Sequence, residues 1–269
     1  MSDVKKIKTA VILGAGKLAT QLSKELVRQG IDIKQVYCRS YTADLQPIYG
    51  LEVSYISSIS ELYTVADLYV IAVSDNAITE VAKQVYDRGV KSLLVHTSGS
   101  TDMSVLKDYS DRIGVLYPMQ TFSKEKEVNF KDIPFFIEAN NKADESLLTE
   151  LACRMSDRVQ SISSEQRKHI HVAAVFACNF TNYMFTMSSD VLAEIGVSFD
   201  TMLPLIEETI RKLKTIPPVE AQTGPAIRQD SKTIDKHLDI LKTDKNKHSL
   251  YKQITESIYE YYKLRPDKD

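Results

Sequence analysis

The 269-residue sequence has little cysteine, little glycine and almost no net charge, and it contains no long apolar run. Its three cysteines, Cys38, Cys153 and Cys178, lie far apart. An odd number cannot close a disulfide framework, and no two stand at metal-ligand spacing. The expectation is a reducing compartment, the cytoplasm, and no metal site. With 34 Lys and Arg against 36 Asp and Glu, the net charge is -2. That leaves no positive excess for a phosphate backbone, so nucleic acid is not an expected partner. No stretch approaches the ~18 apolar residues of a membrane span, so no membrane association is expected. The opening run in MSDVKKIKTAVILGAG leads into a glycine turn instead of a small-residue cleavage site. What remains is a soluble globular chain, 43% hydrophobic, long enough for about two domains.

The few glycines fall mostly where turns are wanted. Gly14, Gly16 and Gly99 follow apolar runs, while Gly30, Gly89 and Gly196 end helical patterns. Short apolar runs are expected as strands over Ala10–Leu13, Lys34–Tyr37, Leu51–Ser54, Leu68–Val73, Ser92–Thr97, Gly114–Tyr117 and Pro134–Glu138. Helical periodicity falls between them at Lys17–Gln29, Ala77–Arg88, Ser104–Ser110 and Asp144–Ser156. Near-continuous apolar strands alternating with helices predict an α/β fold with a doubly wound parallel sheet of the Rossmann type. After that the pattern is helical only, over Ser164–Ile195, Asp200–Thr215, Ser231–Lys242 and Lys247–Leu264, broken at Pro217-Pro218 and Gly224-Pro225. The expected domains are 1–160, nucleotide-binding, and 161–269, all-helical.

Val11-Ile12-Leu13-Gly14-Ala15-Gly16-Lys17-Leu18-Ala19 reads as strand, glycine turn and helix start. Gly14 makes the turn, Gly16 lets backbone N–H groups approach a pyrophosphate, and Ala19 takes the third small position. The free donors of the helix N-terminus, over Ala15, Lys17 and Leu18, then face an anion. The second strand ends in Cys38-Arg39-Ser40, with no acid until Asp44. An acid would mark NAD. Arg39 suits a 2′-phosphate and Ser40 adds a hydroxyl, so NADP is the expected cofactor. Val73, Ser74 and Asp75 end the fourth strand at the carboxyl edge, where the cofactor passes, although Asp75 and Asn76 read equally well as a helix cap.

On the substrate side, His96-Thr97-Ser98-Gly99-Ser100 ends the next strand. His96 and Ser98 are candidate substrate contacts, with local hydrogen bonding as the plainer alternative. On the helix from Ser164, at 100° per residue, Lys168, His171, Asn179, Asn182, Thr186 and Ser189 fall within roughly 80°, and apolar residues cover the other faces. That polar stripe suits an interdomain seam or a cleft. His171 is the best candidate acid/base, with Lys168 a second proton donor, Asn179 orienting substrate and Asn182 contacting it. Arg228, in TGPAIRQD, could clamp a carboxylate or pair with Asp230.

GAGKLA, the arginine after the second strand and the VSDN turn resemble pyrroline-5-carboxylate reductase, ketopantoate reductase and the β-hydroxyacid dehydrogenases. HTSGS (96–100), LYPMQTF (116–122), HVAAVFACNFTNYM (171–184) and TGPAIRQD (223–230) are similar to a branch of NADP oxidoreductases with a C-terminal domain of unknown function. This resemblance implies a Rossmann domain joined to a helical domain like that of 6-phosphogluconate dehydrogenase. It also implies a small-molecule substrate between the domains, and a homodimer. The chain departs from two of these families. Pro118 is not followed by the Pro-Asn-Thr-Pro turn of the pyrroline enzymes, and Lys168 is followed at four residues by Val172 where β-hydroxyacid dehydrogenases have Asn. The resulting expectation is an NADP-dependent oxidoreductase moving hydride between nicotinamide and a small carbonyl, imine or hydroxyl compound. The alternative is a protein that binds NADP without turnover.

Overall fold

Residues 6–40, 53–123 and 128–264 are described by a computed structural model. The chain divides into two units, Met1–Val175 and Phe176–Asp269. Part of the expected strand Leu51–Ser54 and the tail 265–269 lie outside the described residues.

In the first unit, β1 (Thr9–Leu13), α1 (Lys17–Arg28), β2 (Asp32–Tyr37), β3 (Ser54–Ile56), β4 (Leu68–Ile71), α2 (Ile78–Asp87), β5 (Leu93–His96) and β6 (Ile113–Pro118) follow in order. Then come β7 (Phe135–Ala139), α3 (Lys142–Met155), β8 (Val159–Ser161) and α4 (Ser164–Ala174). Among the described residues one sheet runs β3-β2-β1-β4-β5-β6-β7-β8. Alternate residues of its central strands go to opposite faces. Ala10, Ile12, Leu68, Val70, Leu93 and Val95 pack on one side with Leu22 and Leu26 of α1 and Leu148 and Leu151 of α3. Val11, Leu13, Tyr69, Ile71 and Leu94 pack on the other with Ile78, Val81 and Val85 of α2. Each fully buried aliphatic side chain contributes roughly 1.5–3 kcal/mol, and burial on both faces is why these strands read as continuous apolar runs.

Strand β1 lies between β2 and β4, and the chain crosses from one side of β1 to the other on reaching β4. Leu13 pairs with both Tyr37 and Ile71 at the carboxyl ends. This reversal of winding direction opens a crevice at the carboxyl edge.

Two features depart from the all-parallel expectation. β7 runs antiparallel to β6. The described residues between them carry only a short 3-10 turn, Phe130–Asp132, and not the crossover helix that a parallel pair needs. β8 then returns parallel to β7 after α3. It is three residues long and largely polar, so it left no strand pattern. The helix expected over Ser104–Ser110 is a 3-10 turn at Met103–Leu106, capped by Asp102.

The helix from Ser164 opens with a capping box between Ser163 and Gln166. It passes into a π turn at Val175–Phe180 and continues as α5 (Thr181–Ala193). A π turn holds more residues than an α turn, so a count of 100° per residue does not carry through it. The second unit continues with α6 (Leu203–Lys212), α7 (Pro218–Ala221), α8 (Ser231–Ile240) and α9 (Lys245–Lys263). The apolar faces of these helices are open. Among the described residues of this unit only Ala226 is buried, and Phe176, Ile195, Leu205 and Ile240 are each more than half exposed. A groove of about 570 Å³ is lined by Met184, Val191, Leu192, Tyr251 and Ile258, among others. No described helix is long and apolar enough to cross a membrane.

Candidate functional site

The carboxyl edge of the sheet collects the chemistry. Gly14 leaves β1 with φ 132°, and a Cβ there would stand 2.3 Å from the Ala72 carbonyl oxygen. Only glycine fits this turn, where the backbones after β1 and β4 meet. Gly16 is different. Its φ is -72° and no atom lies within 4 Å of where its Cβ would be. It caps α1 without any side-chain hydrogen bond. The first N–H groups of this 12-residue helix thus face open space over a glycine. That cradle fits a dinucleotide pyrophosphate held by the backbone of Gly14, Ala15, Gly16, Lys17 and Leu18. Arg39 and Ser40 follow β2 and are exposed. Val73 and Ser74 follow β4, and Asp75 opens a 3-10 turn for which Ser74 is the cap. Asp75 accepts a hydrogen bond from the Ser100 hydroxyl.

His96, at the end of β5, is fully buried. Its Nδ1 accepts the Ser98 N–H at 3.1 Å, so its hydrogen is on Nε2. Burial lowers its pKa to about 4, reinforced by the charge of Arg167 and opposed by hydrogen bonding of the ring to the Asp102 backbone carbonyl. Ser98 Oγ accepts the N–H groups of Ser100 at 3.2 Å and Thr101 at 2.9 Å. Both residues are engaged within their own loop.

Helix α4 is fixed to this loop by a residue the sequence did not single out. Arg167 is fully buried. It pairs with Glu138 of β7, and it donates to the Thr101 carbonyl and, at 3.2 Å, to Ser164 Oγ. Ser164 in turn donates its N–H to Glu138 at 2.9 Å and its hydroxyl at 2.7 Å, and accepts the Met103 N–H at 3.0 Å. The available signal was position: Arg167 stands one helical turn before His171, on the same face.

One turn on, His171 Nδ1 lies 3.3 Å from the hydroxyl of Tyr117, the penultimate residue of β6. Tyr117 is stacked on Phe136, with ring centroids 6.1 Å apart, and burial raises its pKa above the ordinary phenol range. Gly99 presses on both rings. A Cβ there would lie 2.6 Å from His171 Nδ1 and 2.8 Å from Tyr117 Cζ. Lys168 is held elsewhere, 2.9 Å from Asp102. That bond is the main reason the Asp102 carboxyl drops to about 2. Asn179, in the π turn, and Asn182 and Arg228 belong to the second unit and are exposed there. Arg228 helps Thr233 lower the Asp230 carboxyl, so it has a neighbour of its own. Among the described residues no group of three His, Cys, Asp or Glu could hold a metal ion.

The comparisons bear on this geometry. The structure is similar to that of a "putative NADP oxidoreductase" from Bacteroides fragilis, with a TM-score of 0.89 and 42% identity over 96% of this chain and 100% of that one. The chain belongs to this NADP oxidoreductase family. A family described as a domain of unknown function (DUF2520) matches residues 133–258 of this member. The fold recurs in a Thermotoga maritima protein, with a TM-score of 0.75, 22% identity and coverage of 93% and 98% of the two chains. It recurs too in an imine reductase from Myxococcus stipitatus in complex with NADP+, at 0.69, 14%, 97% and 96%. No curated protein matches.

Proposed function

We propose that this oxidoreductase exchanges hydride between NADP and a small imine, carbonyl or hydroxyl compound, with His171 as the acid/base. When bound, the nicotinamide supplies or takes the hydride. The protein holds the phosphates on the turn at Gly14–Leu18, recognises the 2′-phosphate with Arg39 and Ser40, and moves one proton at the His171 ring. The observation that carries this reading is shared placement. The glycine cradle, the ends of β4 and β5 and the Tyr117–His171 pair all stand at the carboxyl edge of one sheet in one unit. His171 is preferred to Lys168 because Lys168 is already ion-paired with Asp102. Imine reduction is favoured by likeness to a reductase acting on imines.

The test is NADPH oxidation by the purified protein against a panel of cyclic imines and 2-oxo acids, after fluorescence titration with NADPH and NADH. Selective NADPH binding, turnover of at least one compound, and loss of that turnover in His171→Gln are expected. Tight NADPH binding with no turnover across the panel would favour a protein that only binds the nucleotide.

The exposed helical unit supports a homodimer. With a single buried residue among its described residues, this unit has little core of its own to offset chain entropy, and a second copy supplies a matching apolar face. Leu192→Glu, in the groove, is expected to yield monomer in analytical ultracentrifugation, and an unchanged dimer would refute the interface. The free thiols Cys153 and Cys178, both exposed, fit the cytoplasm.

A further inference from the structure

We infer that Tyr117 is a positioning residue: its hydroxyl holds Nδ1 of His171, so that Nε2 is the ring nitrogen left to exchange a proton with a reactant. This rests on the reading of His171 as the acid/base.

The hydroxyl lies 3.3 Å from Nδ1, and the two rings meet edge to face with centroids 6.3 Å apart. Neither ring is loose. Tyr117 is 8% exposed and stacked on Phe136. The turn of helix that carries His171 is anchored by Arg167, and the Gly99 backbone closes the side on which the two side chains meet. Nothing but glycine at 99 lets the loop come this close. The arrangement therefore fixes which nitrogen is occupied, and a histidine's chemistry depends on that choice.

The phenol is the stronger acid, so it donates to Nδ1 of the neutral ring and leaves the ring hydrogen on Nε2. When the ring is charged the same contact runs the other way, from Nδ1–H to the phenol oxygen. In the reducing direction the Nε2–H bond of the charged ring breaks. Its electron pair stays on Nε2, and the proton joins the nitrogen or oxygen of the substrate. The ring then holds its one hydrogen on Nδ1, against the phenol oxygen, and uptake of a solvent proton at Nε2 restores the charged ring; the resting neutral ring, with its hydrogen on Nε2, enters this cycle by taking up a proton at Nδ1. Tyr117 itself neither gains nor loses a proton over the cycle.

The experiment is long-range 1H–15N correlation of 15N-histidine-labelled protein above neutral pH, with His171→Gln identifying the His171 ring among the five histidines. The full chain is used with and without the Tyr117→Phe substitution, which keeps the stack on Phe136. In the native protein the His171 ring hydrogen is expected on Nε2. In Tyr117→Phe the Nδ1 resonance should move to that of a nitrogen without a donor, with NADPH affinity unchanged. Turnover of the compound found in the panel should fall about tenfold, the loss of one ordinary hydrogen bond. Gly99→Ala, which keeps both rings but pushes His171 away, should move the same resonance. An unmoved Nδ1 resonance in both variants overturns the contact. A moved resonance with full turnover in Tyr117→Phe, alongside lost turnover in His171→Gln, overturns its role in positioning. Full turnover in His171→Gln would sink the acid/base reading beneath it, which is a different result.

Discussion

Replacing Arg167 with Met isolates the interaction that fixes helix α4. The side chain is fully buried, and the Glu138 side chain it pairs with is 16% exposed. Met fills most of the same volume, so little packing is lost, and what goes is the charge and its hydrogen bonds. Breaking a buried pair by removing one partner costs about 3–5 kcal/mol, because the remaining charge is left uncompensated. Glu138 would keep two hydrogen bonds from Ser164, at 2.9 and 2.7 Å, which places the loss toward the lower end. The Thr101 carbonyl also loses its donor, about 1 kcal/mol more. The expected total is roughly 3–4 kcal/mol in urea unfolding followed by circular dichroism. Lys142→Ala is the comparison, since its side chain is 94% exposed and its 2.9 Å pair with Glu145 lies at the surface. It should cost under about 1 kcal/mol. Adding Glu138→Gln to Arg167→Met removes the stranded charge, so the double variant should recover at least about 1 kcal/mol over the single one. Equal losses for Arg167→Met and Lys142→Ala, or a double variant worse than Arg167→Met alone, would refute the buried-pair argument.

Other tests follow from the same residues. His96 is buried neutral, its pKa lowered from 6.5 to about 4. The unfolded chain takes up a proton at about 6.5 and the folded one does not. Stability is therefore full above that pH and falls by up to about 3 kcal/mol as the pH drops to 4. His96→Asn, which can still accept the Ser98 N–H, should flatten that slope in unfolding measured between pH 7 and 4.5, and an unchanged slope would reject the assignment. Arg39→Ala should weaken NADPH binding by about tenfold or more and leave NADH alone, because only the 2′-phosphate contact is removed. Equal losses for both nucleotides in parallel titrations would reject that role. Gly14→Ala should lower the melting temperature. Gly16→Ala should melt like the native protein yet bind NADPH at least about tenfold more weakly. Native NADPH affinity in Gly16→Ala would mean the cradle holds nothing.

What the sequence disclosed is what depends on neighbours along the chain. The strand, turn and helix around Gly14 and Gly16, and the arginine after β2, lie within about 30 residues, the span of one βαβ unit, and their spacing carries the chemistry. The pairing of Tyr117 with His171 joins residues 54 apart, and only the order of the sheet brings β6 under α4. LYPMQTF is one of the segments that carry the family resemblance, but nothing local marks its tyrosine as a partner of a histidine. Arg167 carries no sequence signal of burial because an arginine on a helix ordinarily lies in solvent. Its burial depends on Glu138 of β7, a strand whose antiparallel placement leaves no mark in the local sequence pattern. The helical unit poses the opposite case. Apolar periodicity over Ser164–Ile195 says that a face wants covering, but it does not say that this chain covers it.

Three glycines show how a fold and a ligand leave separate marks on one sequence. At Gly14 the backbone itself demands glycine, by a φ of 132° and by an Ala72 carbonyl that a Cβ would strike at 2.3 Å. At Gly99 the demand comes from two side chains, the His171 and Tyr117 rings, within 3 Å of where a Cβ would sit. Folding accounts for both positions. At Gly16 neither cause operates, since the dihedral suits any residue and no atom lies within 4 Å. A Ser, Thr or Asp in its place would add a side-chain cap to helix α1 and stabilise it by about a few tenths of a kcal/mol, since glycine is itself an accepted cap. The fold itself thus makes no demand for glycine at 16, which agrees with the proposed use of that space for the cofactor's pyrophosphate at the helix N-terminus.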